Sequence, residues 1–271
     1  MLNNTEKRNP KTTHIDKMDT IEMLRLANDE NRYSVDVVEK ILPSIAKAVD
    51  VVCECIQNGG RVFYVGAGTS GRLAICDATE CPPTFGLEHG RVNAIIAGGN
   101  GAMVKAVENA EDNEIAGRED LLSYNPQKGD VVIGISASGG AKYVISALRV
   151  AKELGCVTAC INNNLDTPMS KIVDIAMLAD TGAEFLTGST RLKAGNTQKM
   201  ILNMISTCAM VKAGYVYENL MINLRPTNQK LKDRMVRIVS SVLSVPENTS
   251  TKLLNDNDWV IKQAIKSYLN K

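Results

Sequence analysis

VFYVGAGTSGRLAICDATECPPTFG, residues 62–86, joins an apolar run, a glycine turn, two hydroxyls, a helix start and a downstream carboxylate. Val62 to Val65 read as a strand buried on both faces, as in a parallel sheet. Gly66, Gly68 and Gly71 let the backbone turn tightly and approach a ligand closely. The helix opening near Ser70 points unpaired N–H groups and the positive end of its dipole at that turn. With the Thr69 and Ser70 hydroxyls alongside, the turn suits an anion.

Gly66 to Gly71 also match the GxGxxG pattern of dinucleotide sites. Such a site wants an acidic residue about 20 positions on, at the end of the second strand, to hold the ribose. The next strand, Val92 to Ala97, instead runs into Gly98-Gly99-Asn100. Adjacent Thr69 and Ser70 suit a terminal phosphate monoester, which has more oxygens to satisfy than an esterified pyrophosphate. A phosphosugar is therefore the favoured ligand, with a dinucleotide or a merely structural glycine turn as the alternatives on this motif alone.

Outward from this stretch, strands and helices alternate. Strand 61–66 precedes helix 70–79, which Pro82 and Pro83 stop. Strand 92–97 precedes helical stretches near 101–110 and 113–123, and strand 130–135 precedes helix 141–154. Strands 156–161 and 172–178 follow. Upstream lie a short helix over 19–30 and a longer one, capped by Ser34, that ends at Gly59-Gly60. The alternation predicts an α/β fold: a three-layer, doubly wound parallel sheet covered on both faces. After Arg225-Pro226 it gives way to short amphipathic helices over 228–243, 246–255 and 258–269. Leu231, Met235, Ile238, Leu254, Trp259, Ile261, Ile265 and Leu269 supply their apolar faces. The organisation expected is an arm and helix over 1–33, a sugar-phosphate domain over 34–224, and a small C-terminal helical subdomain over 225–271.

At 271 residues, 44% of them hydrophobic and 23% charged, the chain can bury one large α/β domain with a smaller appendage. It lacks an apolar run of the ~20 residues a membrane helix needs, and its polar N-terminus lacks the apolar core of a secretory signal. A cytoplasmic protein with no membrane partner is expected. Lys and Arg number 31 against 30 Asp and Glu, without the excess of a nucleic-acid binder. The seven cysteines form no CxxC pair and histidine occurs only as His14 and His89, so no metal site is expected.

Ligands of doubly wound sheets bind beyond the carboxyl ends of the strands. Three hydroxyl- and glycine-rich turns fall at suitable positions: Gly66–Arg72, Ser136–Gly140 and Thr187–Lys193. Each alone is ordinarily a cap or turn, but together they suggest one shared site. Two acidic positions stand out. Glu80 precedes Cys81-Pro82-Pro83, and Glu111-Asp112 separates two short helices; each alone reads as a solvated helix-end acid. With almost no histidine, proton transfer falls to carboxylates, whose pKa burial can raise. A serine nucleophile would have only His89 as a candidate base.

Several separate blocks carry a family resemblance. They are Thr5-Glu6-Lys7-Arg8-Asn9-Pro10, VGAGTSGRLAICDATECPPTFG, Ala110-Glu111-Asp112, GISASG at 134–139 and TGSTRLKAGNTQKMILNMIST at 187–207. In order and spacing the chain resembles the N-acetylmuramic acid 6-phosphate etherases of the sugar-isomerase (SIS) fold group, to which the glucokinase regulatory protein is related. The resemblance implies a cytoplasmic enzyme of bacterial peptidoglycan recycling that removes the D-lactyl ether from N-acetylmuramic acid 6-phosphate. The products would be N-acetylglucosamine 6-phosphate and D-lactate, formed by elimination and hydration without cofactor or metal. It also implies a homodimer with each site near the subunit interface.

Under the resemblance, Glu80 falls on the family's proton-donor position and Glu111 on its second acidic position; which takes the carbon-2 proton stays open. Gly68, Thr69, Ser70, Ser136 and Ser138 would hold the phosphate, with Ser189, Thr190 and Lys193 completing the sugar site. Gly140-Ala141-Lys142-Tyr143 departs from the family's usual Arg-Thr-Pro-Tyr, changing charge placement and loop rigidity. The other readings are a non-catalytic sugar-phosphate regulator of the same fold and an aldose–ketose isomerase. A regulator needs no placed carboxylates, so Glu80 and Glu111 together favour the enzyme.

Overall fold

The computed structural model describes residues 3–270. The chain divides into two compact units, one running to Ala78 and resuming over Gly90–Ala209, the other comprising Thr79–His89 and the chain from Met210.

In the first unit, β1 (Val62–Gly66), β2 (Val92–Ile96), β3 (Val131–Ser136), β4 (Val157–Asn162) and β5 (Ile175–Leu178) form one sheet in the order β2-β1-β3-β4-β5. All neighbours are parallel, with Val62 paired to both Val92 and Val131. Every residue of β1 and β3 is buried, as continuous apolar runs covered on both faces require. The helices of this unit are α1 (Thr20–Lys40), α2 (Leu42–Gln57), α4 (Glu114–Ser123) and α5 (Lys142–Glu153), with most of α3 (Gly68–Phe85) and of α6 (Lys193–Lys212). Helix α2 packs on β1, β3 and β5, while α5 packs on β1, β3, β4 and α4. Phe63, Val65, Val132, Tyr143, Leu148 and Cys160 lie in the core between α5 and the sheet. Each large apolar side chain so buried contributes about 1.5–3 kcal/mol. This is the doubly wound α/β architecture that the alternation predicts.

The strand order has a direct consequence for the site. From β1 the chain moves out to β2, then returns across to β3 and proceeds the other way to β5. The direction of winding reverses between β1 and β3, and a crevice opens at the carboxyl ends of those two strands.

Several elements differ from the sequence expectation. One helix, α1, runs through Ser34, because residues 30–36 contain neither Gly nor Pro; the break comes at Ile41, where Pro43 cannot donate into the preceding turn. Helix α3 continues through Pro82 and Pro83 to Phe85, and Gly86 N–H closes it on the Pro82 carbonyl at 2.8 Å. The stretch read as helix near 101–110 holds only a 3-10 turn, Asn100–Met103, entered through Gly98 and Gly99 at positive φ. Strand β5 starts at Ile175 because residues ahead of it turn, with Ile172 N–H on the Met169 carbonyl.

The second unit holds a short antiparallel pair, β6 (Val216–Tyr217) and β7 (Leu220–Met221), and helices α7 (Gln229–Leu243), α8 (Glu247–Asn255) and α9 (Ile261–Leu269). Asn228 caps α7 by accepting from Leu231 N–H at 2.9 Å. Met235, Val239, Leu254, Ile261 and Ala264 form its core, with Leu231 and Trp259 packed against them, whereas Leu269 is exposed. No helix among the described residues is long and apolar enough to cross a membrane.

Candidate active site

A polar cavity of about 300 Å3 lies at the carboxyl ends of β1 and β3, where the winding reverses. The start of α3 (Ala67–Ser70) and the end of β3 (Ile135–Ser138) form two walls, and Ala141, which precedes α5, adds to them. Glu111, Gly188, Thr190 and Glu6 complete the lining.

Packing explains why the first wall has its shape. A side chain at Gly71 would place its Cβ 2.5 Å from Ile96 Cγ1 and 3.0 Å from the Gly66 carbonyl. Glycine there lets α3 start directly off β1, with its first N–H groups facing the cavity. The second wall is knotted by hydroxyls. Ser136 Oγ and Ser138 Oγ lie 3.3 Å apart and accept from Gly139 N–H and Gly140 N–H, each at 3.1 Å. Gly139 has φ 66° and no room for a Cβ, which would fall 2.4 Å from Thr167 Cβ.

Among the described residues, no lysine or arginine lines the cavity. Two helix ends, α3 and α5, turn the positive ends of their dipoles toward it, the latter uncapped by any side chain at Ala141. Each end carries roughly half a positive charge. Two such ends with serine and threonine hydroxyls can satisfy a phosphate dianion, as anion sites at helix N-termini do.

The Ser70 hydroxyl faces inward, donating to Gln198 Oε1 at 2.9 Å. Gln198 donates to Asn163 Oδ1 at 2.9 Å, and Asn163 donates to Thr197 Oγ1 at 2.6 Å. Toward a ligand, Ser70 therefore offers its N–H group and oxygen lone pairs rather than a hydroxyl proton. Gln198 and Asn163 are buried members of the site's support that the sequence reading did not find; they bear no motif of their own.

Of the residues singled out in sequence, the cavity brings together Gly68, Thr69, Ser70, Glu111, Ser136, Ser138 and Thr190. Ser189 is not among the lining residues. Lys193 is buried elsewhere, its ammonium against the Glu30 carboxylate, which also accepts from Asn9 at 2.9 Å and Lys11 at 3.2 Å. Burial raises the Glu30 pKa, but hydrogen bonds from Lys193 and Lys11, with their charges, outweigh it and hold the carboxyl below its ordinary value. Glu184 caps α6 through the N–H groups of Lys193 and Ala194, both at 2.9 Å; burial pushes its pKa up. Glu80 is exposed in the part of α3 that belongs to the second unit. Lys142, in the divergent stretch and the first residue of α5, has its ammonium 3.8 Å from an Asp112 carboxylate oxygen.

The chain is 49% identical over 261 residues to the N-acetylmuramic acid 6-phosphate etherases of Yersinia pestis (strain Pestoides F) and Yersinia pseudotuberculosis serotype O:1b (strain IP 31758). The overlap takes in 96% of this chain and 88% of theirs. The chain belongs to the N-acetylmuramic acid 6-phosphate etherase family. The profile of the glucokinase regulatory protein N-terminal SIS domain matches residues 44–152 of this etherase-family chain, and that of the SIS domain matches 102–211. Among solved structures, a phosphoheptose isomerase from Francisella tularensis has a TM-score of 0.54 at 18% identity, covering 71% of this chain and 98% of its own. The Vibrio vulnificus NanR protein, complexed with ManNAc-6P, has a TM-score of 0.52 at 14% identity, covering 82% and 70%. At such identities the likeness is one of fold, and the etherase-family fold is accordingly of SIS type.

Proposed function

We propose that this protein cleaves the D-lactyl ether of N-acetylmuramic acid 6-phosphate, releasing D-lactate and N-acetylglucosamine 6-phosphate in the cytoplasm during peptidoglycan recycling. The observation that carries the reading is a carboxylate, Glu111, in the same polar cavity as an anion cradle built from two helix ends. Membership of the etherase family supports the substrate.

The chemistry fits a cradle with a carboxylate beside it. The phosphate, held by the Gly68–Ser70 turn and the Ser136 and Ser138 loop, anchors an open-chain sugar whose carbon-2 proton is acidified by the neighbouring aldehyde. A carboxylate base removes that proton, and the electron pair expels the lactate oxygen from carbon 3. A carboxylic acid protonates the departing oxygen, and water then adds to the enal. Glu80 and Glu111 are the residues proposed for these transfers, Glu80 as proton donor. Ser189, Thr190 and Lys193 belong to the same proposal as the residues that complete the sugar site, Thr190 being the one that lines the cavity. A homodimer with each cavity near the subunit interface, and the organisation into an arm and helix over 1–33, a sugar-phosphate domain over 34–224 and a helical subdomain over 225–271, are also part of this reading.

The test is D-lactate release from N-acetylmuramic acid 6-phosphate by purified protein with chelator present, beside Glu80→Ala and Glu111→Ala. Wild type should release lactate, and each variant should lose about 10²- to 10⁴-fold in turnover. Undiminished turnover in both variants would sink the mechanism. Phosphosugar binding without lactate release would favour a sugar-phosphate regulator, the reading that the glucokinase regulatory protein profile over residues 44–152 supports.

A further inference from the structure

We infer that Glu6, in the N-terminal arm, is a substrate-contacting residue of the cavity, accepting hydrogen bonds from hydroxyl or amide N–H donors of the phosphosugar. The inference rests on the phosphosugar reading above and adds to it a recognition group that is neither Glu80 nor Glu111.

Glu6 ends a 3-10 turn, Asn4–Glu6, and lines the cavity with Glu111 and the anion cradle. The arm that carries it is fastened on both sides. Thr5 is fully buried; its N–H donates to Asn164 Oδ1 at 3.4 Å, and Asn164 Nδ2 donates back to Thr5 Oγ1 at 3.0 Å. The same Asn164 amide donates to the Ala137 carbonyl at 2.9 Å, tying the arm to the wall between Ser136 and Ser138. Asn4 donates to both oxygens of Asp180, at 3.1 and 2.9 Å, and Asn9 is held by Glu30. A segment pinned at positions 4, 5 and 9 holds the residue between them in a fixed place, where a loose tail would not.

The Glu6 side chain lies against Gly188. A Cβ built there would be 3.3 Å from Glu6 Oε2, so the glycine leaves the carboxylate its room. Thr5, Asn4 and Asn9 all have partners, but the Glu6 carboxylate has none among the described residues. A carboxylate with open lone pairs on a cavity wall is complementary to donors. The phosphate and the lactyl carboxylate of the substrate are themselves acceptors, and like charges repel at short range. The groups that can meet Glu6 are therefore the neutral donors of the sugar, its hydroxyls and acetamido N–H, with the phosphate directed to the helix ends. Glu6 thus fixes which end of the ligand enters which side of the cavity.

The test compares wild type, Glu6→Ala and Glu6→Gln by calorimetric titration with N-acetylglucosamine 6-phosphate, glucose 6-phosphate and inorganic phosphate, alongside lactate-release kinetics. A hydrogen bond to a charged acceptor predicts about ten- to a hundredfold weaker sugar-phosphate binding in Glu6→Ala, with a smaller loss in Glu6→Gln. KM should rise more than kcat falls, and inorganic phosphate should bind no more weakly than to wild type. Weakening of both sugars assigns the contact to a hydroxyl; weakening of only the acetamido sugar assigns it to the amide N–H. Unchanged sugar-phosphate affinity in Glu6→Ala overturns the inference, and so does a matching loss for inorganic phosphate, which would make the arm a purely structural support. Wild type that binds the phosphosugar yet releases no lactate overturns the etherase reading alone, since the binding comparison still decides Glu6. Wild type without phosphosugar affinity overturns both.

Discussion

Ser70 shows how a motif residue takes its role from a partner that no motif includes. The stretch 62–86 places a hydroxyl at a helix start, but the 2.9 Å hydrogen bond to Gln198, 128 residues away, turns that hydroxyl inward. Gln198 accepts from Ser70 and donates in turn to Asn163. Gln198→Leu would leave the Ser70 hydroxyl and the Asn163 carbonyl oxygen buried without these partners. Each such group costs about 1–3 kcal/mol, so the variant should melt well below wild type even before ligand is added. Thermal unfolding followed by circular dichroism checks this, and an unchanged midpoint would mean that the chain is dispensable. The Ser136–Ser138 turn was legible in sequence because turn chemistry is local, whereas Glu111 read by itself as a solvated helix-end acid and entered the site only through the family resemblance. Glu6, Gln198 and the burial of Lys193 were not, because each depends on contacts made across the fold.

At the scale of elements, the first residue of α6 and the middle of α1 are joined by a charge pair buried on both sides, Lys193 with Glu30. Removing one member of such a pair leaves an uncompensated charge, typically costing about 3–5 kcal/mol. Glu30→Gln should therefore lower stability by that order at neutral pH, measured by urea unfolding. The pH dependence follows from the direction of the shift. The folded-state pKa of Glu30 lies below the ordinary 4.5, so its stabilisation is complete above that value and is lost as pH falls through the folded one. The groups facing the pair are Lys11, Asn9, Glu184 and the ring of Tyr33, 5.5 Å from the Lys193 ammonium. Glu184 shifts the opposite way but is present in both proteins, so the gap between wild type and Glu30→Gln should narrow below pH 4.5. A gap that widens on acidification would contradict the assignment. Element identities were mostly readable, since strands β1 and β3 announce themselves as short apolar runs followed by Gly or Ser. The course of α3 through Pro82 and Pro83 was not, because two prolines near a helix end remove N–H donors without forcing the chain out of it.

For the whole molecule, topology decides where chemistry can occur. The order β2-β1-β3-β4-β5 creates a reversal between β1 and β3, and the cavity occupies the crevice that follows from it. Alternation of strands and helices in the sequence implies a parallel sheet, but it does not reveal strand order, so the pairing of the Gly66–Gly71 turn with the Ser136–Ser138 loop becomes explicit only in the fold. A ligand bound there is bound only by the folded state, so it must stabilise that state by mass action. At a hundredfold excess over Kd the gain is about 2.7 kcal/mol. For a unit of this size, each kcal/mol corresponds to about 2–4 °C in the midpoint, so N-acetylglucosamine 6-phosphate should raise it by about 5–10 °C. Unphosphorylated N-acetylglucosamine at the same concentration should raise it far less, because the two helix ends lose their anion. Circular dichroism follows the secondary structure of both units together, and fluorescence of Trp259, the chain's one tryptophan, follows the second unit separately. Equal shifts with and without the phosphate would mean that the helix ends do not hold it; a shift with the phosphosugar alone would identify the phosphate as the anchor.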